Sequence, residues 1–297
     1  MRLPGFELRE PETLEEAIDL LGRYGGEAKA VSGGTALFIL MKHRYLRPRV
    51  LIGLRRLEEL RYIRPSEGGV EMGALATHRQ AEQSPLLRKA NRLVAEVYRE
   101  VASPPIREMA TVGGNLAFAE PASDPAPALL ALDAEAALRG PEGERRVPLT
   151  DFFIDFYETR IGPTDLLTRV RVPRPAPRTA GAYRNFRPAS VEDKTLAGVA
   201  VTLTFEEGIQ RCVKAGVAVG GVLPSPRRFP EAEEVLAGSD LSDGAVEAAA
   251  ERLGAALQPV SDAVASAAYK RGLAKTLFRR AVQASVASAR QGRFLEV

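Results

Sequence analysis

Two short stretches, AVSGGTALFILMKH at 30–43 and ATVGGNLAFAEPASD at 110–124, share one plan. Each runs a short apolar segment into a Gly-Gly pair flanked by small polar residues, then into a new segment. A backbone without Cβ turns sharply and lets another group lie against the main chain. Successive N–H groups pointing inward make a concave anion site, and a following helix N-terminus adds its dipole. Ser32 and Thr35 flank the first pair, Gly33-Gly34; Thr111 and Asn115 flank the second, Gly113-Gly114. One such pair is weak evidence in a chain with 26 glycines, where GGE and GGV also occur. Two with matched flanks fit a diphosphate clamped from opposite sides by two subdomains. Plain structural turns are the alternative.

Neither turn ends in the Gly-Lys-Ser/Thr of a P-loop. Neither has the three-glycine spacing of a dinucleotide-binding βαβ unit. A diphosphate ligand therefore implies a different fold. The single cysteine, Cys212, excludes an internal disulfide, an iron–sulfur cluster or a zinc site built by cysteines alone, and in IQRCVKAGVAVGG it reads as a packed thiol on a strand. With only His43 and His78, acid–base chemistry on this chain has few candidates, and reactive atoms are expected on a bound cofactor. The charge of +3 is scattered and aromatics are 6% with no tryptophan, so the concentrated basic stripe of a nucleic-acid binder is missing. The first 20 residues lack a signal-peptide core and no apolar run approaches a bilayer span, so a cytoplasmic chain is expected. High Arg and Ala with little Cys and Met is compatible with a heat-adapted source.

The length of 297 residues fits two or three domains. PETLEEAIDLLGRYG, 11–25, reads as a helix, with Thr13 and Glu16 as a capping box. AKAV leads as a strand into the first turn, Ala36 onward reads as a helix, and RPRVLIGL, 47–54, as a buried strand. Strands are expected at 60–63 and 69–74, then one helix over 79–98, stopped by SPPI at 103–106. The stretch 127–138 is apolar and alanine-rich, 144–149 is strand-like, and LLTRVRVP, 166–173, alternates. RPAPRTAGA, 174–182, reads as a linker. Beyond it, 196–205 and 212–222 form a Val-rich hairpin around EEGIQ, and helices are expected at 230–237, 244–257 and about 263–290. The order of elements predicts an α+β protein, with a C-terminal domain of antiparallel strands and helices from 178 to 297. The preceding module covers 1–175, with subdomains of about 1–55 and 56–175.

The segment VSGGTALFILMKHRYLRPRVLIGLRRLEELRYI resembles the opening of the FAD-binding medium subunits of the molybdenum hydroxylases, the family of aerobic carbon monoxide dehydrogenase and xanthine dehydrogenase. IREMATVGGNLAFAEPASDPAPALLALDAEAAL resembles that family's second flavin motif. PLTDFF, DLLTRVRVP, VEDKTLAGVAVTL and GVAVGGVLPSPRRFPEAEEVLAG match in kind and order. The likeness covers nearly the whole chain; each motif is loose, and the ordered set is specific. It implies a two-subdomain FAD-binding module of the PCMH/vanillyl-alcohol-oxidase-like type, followed by a carbon-monoxide-dehydrogenase-flavoprotein-like α+β domain. It implies that Ser32, Gly33, Gly34, Thr35 and Ala36 hold the FAD diphosphate with Thr111, Gly113, Gly114 and Asn115. Asp124 matches an acid near the ribityl–phosphate region, although before Pro125 it also reads as a turn or helix cap. Leu166 and Lys194 match positions near the isoalloxazine ring; Lys194 also reads as a solvated charge.

Two positions depart from the family pattern. Ala36 stands where Asp or Asn is usual, and Arg107-Glu108 where Arg-Asn is usual. A glutamate turned toward a diphosphate would repel it. The resemblance implies an oxidoreductase subunit without metal or catalytic side chains of its own, which passes electrons from iron–sulfur clusters to an external acceptor. It implies a molybdopterin-binding large subunit and a [2Fe-2S] small subunit as partners, in a dimer of heterotrimers, with no nucleic acid and no membrane span. A stand-alone flavin oxidase of the same superfamily and a non-catalytic nucleotide-binding or assembly protein are the rival readings.

Overall fold

Thr13 starts the first helix, Leu14–Tyr24: its hydroxyl accepts from the Glu16 N–H, and Ala17, Ile18 and Leu21 form the buried face. The Glu16 carboxylate reaches back to the Glu12 N–H rather than to Thr13, one residue short of a full capping box. The helix covers a three-stranded parallel sheet in the order Glu7–Arg9, Val50–Gly53, Ala28–Val31. The computed structural model describes residues 2–190 and 193–296. Val191 and Glu192, which open the VEDKTL stretch, lie outside the described residues.

A second, antiparallel sheet follows in the order Ile63–Ser66, Gly69–Gly73, Leu166–Pro173, Glu135–Gly140, Gly143–Pro148. Its alternation buries Val170 and Val172 on one face, with Arg169 and Arg171 on the other, where they pair with Glu71, Glu144 and Glu135, as period-2 patterning requires. The helices between its strands pack over one face, and Met72, Leu93, Tyr98, Leu116 and Phe152 fill the core there.

The expected helix over 79–98 is three helices, His78–Gln83, Pro85–Ala90 and Arg92–Glu100. The breaks fall at Ser84, which caps the proline-started second piece, and at extended Asn91. Proline takes the first helical position without losing a bond, so Ser84-Pro85 is a start signal. The same holds for SPPI, which begins the helix Pro104–Met109 instead of stopping one. Leu60 to Tyr62 is not strand; a 3-10 turn occupies Glu58–Leu60.

The third sheet is antiparallel, Thr179–Phe186, Ala197–Phe205, Cys212–Gly220 and Arg227–Arg228 in that order. Its first strand takes half of the stretch read as linker, because Thr179 to Phe186 pairs fully with 197–204. The helices Pro230–Leu236, Asp243–Ala256 and Ala267–Arg290 cover it. Ala274, Leu277, Phe278, Ala281 and Val282 make the buried stripe of the last helix. Cys212 is buried, and its thiol is pushed up to about 11 by that burial, as an inert packed group. The structure is the expected α+β architecture. No helix among the described residues is long and apolar enough to cross a membrane.

Candidate functional site

Ser32 leaves the buried edge of strand Ala28–Val31, and the chain turns at Gly34, whose φ is +69°. A Cβ at Gly33 would lie 1.9 Å from the carbonyl oxygen of Met109, so only glycine lets the two turns touch. They do touch. Ser32 Oγ and Thr111 Oγ1, 79 residues apart in sequence, are 2.9 Å apart. The turns thus lie edge to edge on one wall, rather than facing each other across a ligand.

Their backbones are used differently. Gly113 N–H donates to Ala74 O at 2.9 Å, and Gly114 N–H donates to Thr111 Oγ1 at 3.1 Å. Thr111 caps the helix Val112–Phe118 through that bond. In the first turn, the N–H groups of Gly33, Gly34 and Thr35 meet no protein acceptor among the described residues. Paired hydroxyls leave a further donor. Ser32 and Thr111 carry two hydroxyl protons, one lies between them, and the other is free to point outward. Asn115 Oδ1 accepts from Ser123 Oγ at 2.7 Å, which orients its amide nitrogen away as a donor.

These groups line a cleft of about 750 Å³, with Lys29, Ala36, Tyr45, Phe118 and Tyr157 also on its walls. No carboxylate lines it among the described residues. Glu108 is turned aside, 63% exposed, with Oε1 3.4 Å from Arg79 Nε, so it does not oppose an anion there. Its neighbour Arg107 is buried. It donates to the Glu82 carboxylate at 2.9 Å and to the carbonyls of Val101 and Ala102, holding the loop before the second turn. His78 braces the turn from behind, with Nε2 3.1 Å from Thr111 O. Burial lowers its pKa to about 4, against the smaller upward pull of that bond, so the ring is neutral and Nε2 carries the proton.

A second cleft, of about 530 Å³, meets the first at Tyr157, which lines both. Glu120, Asp193, Lys194, Thr195 and Leu196 stand on its walls. Lys194 Nζ donates to Glu120 at 2.6 Å. Of the other residues singled out from sequence, Leu166 is buried in the core of the first lobe and lines neither cleft. Asp124 also lines neither. Its carboxylate accepts from Tyr183 and Thr195 hydroxyls at 2.7 and 2.6 Å, and from Asn185 and Arg187 at 3.1 Å each. It makes no capping bond to the helix Pro125–Ala131 that it precedes.

Sequence reasoning missed Glu120 and Tyr157. Glu120 had a signal, an acid four residues before Asp124 on the same motif. Tyr157 had none, because its position depends on the hairpin Phe153–Asp155 with Glu158–Thr159 folding back over the clefts.

The description "FAD binding domain in molybdopterin dehydrogenase" matches residues 4–175, and "CO dehydrogenase flavoprotein C-terminal domain" matches 181–285. The chain belongs to the FAD-binding medium subunits of the molybdenum hydroxylases. It is 32% identical over 282 residues to the carbon monoxide dehydrogenase medium chain of Hydrogenophaga pseudoflava, covering 95% of this chain and 97% of that one. It is 33% identical to the nicotine 6-hydroxylase medium subunit of Paenarthrobacter nicotinovorans, over 95% and 98% of the two chains. The solved carbon monoxide dehydrogenase of H. pseudoflava lacking its Mo-pyranopterin moiety superposes with a TM-score of 0.93 at 33% identity, covering 97% of this chain and 99% of that one. This medium subunit is therefore part of an oxidoreductase, and FAD is its cofactor. The donor set fits that group: free N–H groups, one free hydroxyl proton and a lysine face a cleft without acids.

Proposed function

We propose that the first turn binds the FAD diphosphate through its backbone N–H groups, and that the second holds the first in shape and lends only its Thr111 and Asn115 side chains. The observation that carries this is the row of unpartnered N–H groups at Gly33, Gly34 and Thr35 inside an acid-free cleft. Ser32, Thr111 and Asn115 add side-chain donors beside it, and Ala36 leaves the helix start open. Gly114 lets Ser32 and Thr111 approach. Gly113, Asp124 and Leu166 support the site without facing it. Lys194, on the second cleft, stands where the far end of the cofactor is expected. When bound, FAD supplies two-electron redox chemistry. The chain's own residues bind the diphosphate, orient the ring and keep acids away.

The chain takes electrons from a small [2Fe-2S] subunit that is fed by a molybdopterin-binding large subunit, in a cytoplasmic dimer of heterotrimers. Support comes from the medium-chain relatives, which include a carbon monoxide dehydrogenase medium chain and a nicotine 6-hydroxylase medium subunit. That spread supports a reading with substrate choice on the large subunit and the flavin relay on this one. The module over 1–175 and the domain from 178 are the units we propose.

The test is FAD content. The chain is purified alone and co-expressed with its large and small subunits, as wild type and as Ser32→Ala/Thr111→Val. One FAD per wild-type chain in at least one preparation, with weaker retention in the variant, is expected. A folded wild type free of FAD in both preparations would overturn the proposal.

A further inference from the structure

The two clefts meet at a three-residue junction that the diphosphate site does not use. Glu120, just beyond the helix Val112–Phe118, accepts from Lys194 Nζ at 2.6 Å and from the Tyr157 hydroxyl at 3.3 and 3.4 Å. The partners lie 74 and 37 residues along the chain, on separate segments. The Glu120 side chain is 16% exposed and that of Lys194 73%. The carboxylate is the anchored member, and the flexible ammonium comes to it. A free lysine side chain carries about 2 kcal/mol of rotamer entropy, so without an anchor Lys194 would not stay at one place.

Tyr157 is anchored too. It sits at the hairpin turn with φ +55°, and its ring packs 5.1 Å from that of Phe118. Burial acts to lower the pKa of Lys194, and the bond and charge of Glu120 outweigh it and raise it. The Tyr157 phenol is pushed up by burial and by the Glu120 charge. The junction brings together one lysine, one tyrosine and one glutamate side chain, with the Lys194 and Glu120 charges offsetting one another.

We infer that Glu120 is a positioning residue that fixes Lys194 and Tyr157 beside the cofactor ring and partly offsets the Lys194 charge, thereby setting the flavin reduction potential. This rests on the FAD reading above. Reduction adds negative charge to the flavin. A nearby ammonium favours the reduced form and a nearby carboxylate opposes it. The two members of one ion pair should therefore pull the potential in opposite directions.

The FAD-loaded full chain, with its partner subunits, is titrated anaerobically with a reductant and indicator dyes while flavin absorbance is followed. Glu120→Gln, whose amide oxygen still accepts from Lys194 and so keeps it in place while removing the negative charge, should raise the midpoint, Lys194→Met should lower it, and the double variant should return toward wild type. Glu120→Asp, which keeps the charge, should restore most of the wild-type value. A purely structural Glu120 would give single variants whose midpoints shift the same way or stay put with FAD retained, and that result overturns the inference. If Glu120→Gln loses FAD, Lys194→Met against Lys194→Arg makes the same decision: a lowered midpoint in the first alone supports it, and equal midpoints overturn it. Absence of FAD from the wild type would instead strike the diphosphate reading.

Discussion

The two glycine turns look alike in sequence and do different work. In the first, Gly33 and Gly34 line the cleft with N–H groups that meet no protein acceptor among the described residues, and glycine is needed for a sharp turn against Met109. In the second, Gly113 and Gly114 have both N–H groups engaged by protein, and glycine is needed because a Cβ at Gly113 would lie 2.5 Å from Ala74 Cβ. The first offers unpartnered backbone donors on the cleft wall, while the second is held by the protein and offers side chains only. A shared motif thus reports shared backbone geometry without fixing which groups are left to bind.

This contrast is breakable. Gly33→Val should have the largest effect. The side chain would push the turns apart and misplace several charge-assisted N–H bonds worth about 1.5–3 kcal/mol each, so FAD affinity should fall at least ~100-fold by fluorescence titration. Gly113→Ala should act on the fold instead. Overpacking against Ala74 costs about 1–3 kcal/mol, read as a lower denaturation midpoint, with FAD affinity of the folded protein nearly kept. A large loss of affinity there, with stability intact, would mean that the backbone of the second turn contacts the ligand directly.

The brace at His78 sharpens the comparison through pH. Its folded pKa, near 4, lies below the ordinary value of 6.5, so the unfolded chain binds the extra proton between them. Stability is full above 6.5 and falls as pH drops toward 4, by about 2 kcal/mol between pH 7 and pH 5. His78→Phe should flatten that slope in urea melts. Thr111→Val removes the helix cap and the Ser32 contact, and should cost about 1 kcal/mol. Glu108→Gln should be the mildest, within about 0.5 kcal/mol in stability and without change in FAD binding, because Glu108 already faces away.

Much of the architecture was legible. LLTRVRVP at 166–173 alternates, the two runs around EEGIQ are Val-rich, and all form strands as read. Helix breaks at Ser84 and Asn91 were hidden because the apolar period runs through them; the Ser84-Pro85 start cue went unused, and SPPI at 103–106 reads as a stop although it starts a helix. The lost half of the linker, Thr179 to Ala182, is small and Pro-flanked in sequence, and becomes a strand only through pairing with 201–204. At the site, the glycines and their polar flanks were visible. Which N–H groups stay free was not, because Ala74 O and Thr111 Oγ1 reach the second turn through tertiary contacts. Asp124 illustrates the limit most clearly: its donors lie 59 to 71 residues away.

That carboxylate also bears on heredity. Asp124 belongs to the segment that carries the second turn, yet the donors Tyr183, Asn185, Arg187 and Thr195 all come from beyond the Pro-rich joint. A recombination event that exchanged everything after the joint for a foreign sequence would leave a buried acid with nothing to answer it. The two halves are consequently expected to be exchanged together rather than separately. A chimaera built at that joint works only when the incoming half brings the same four donors.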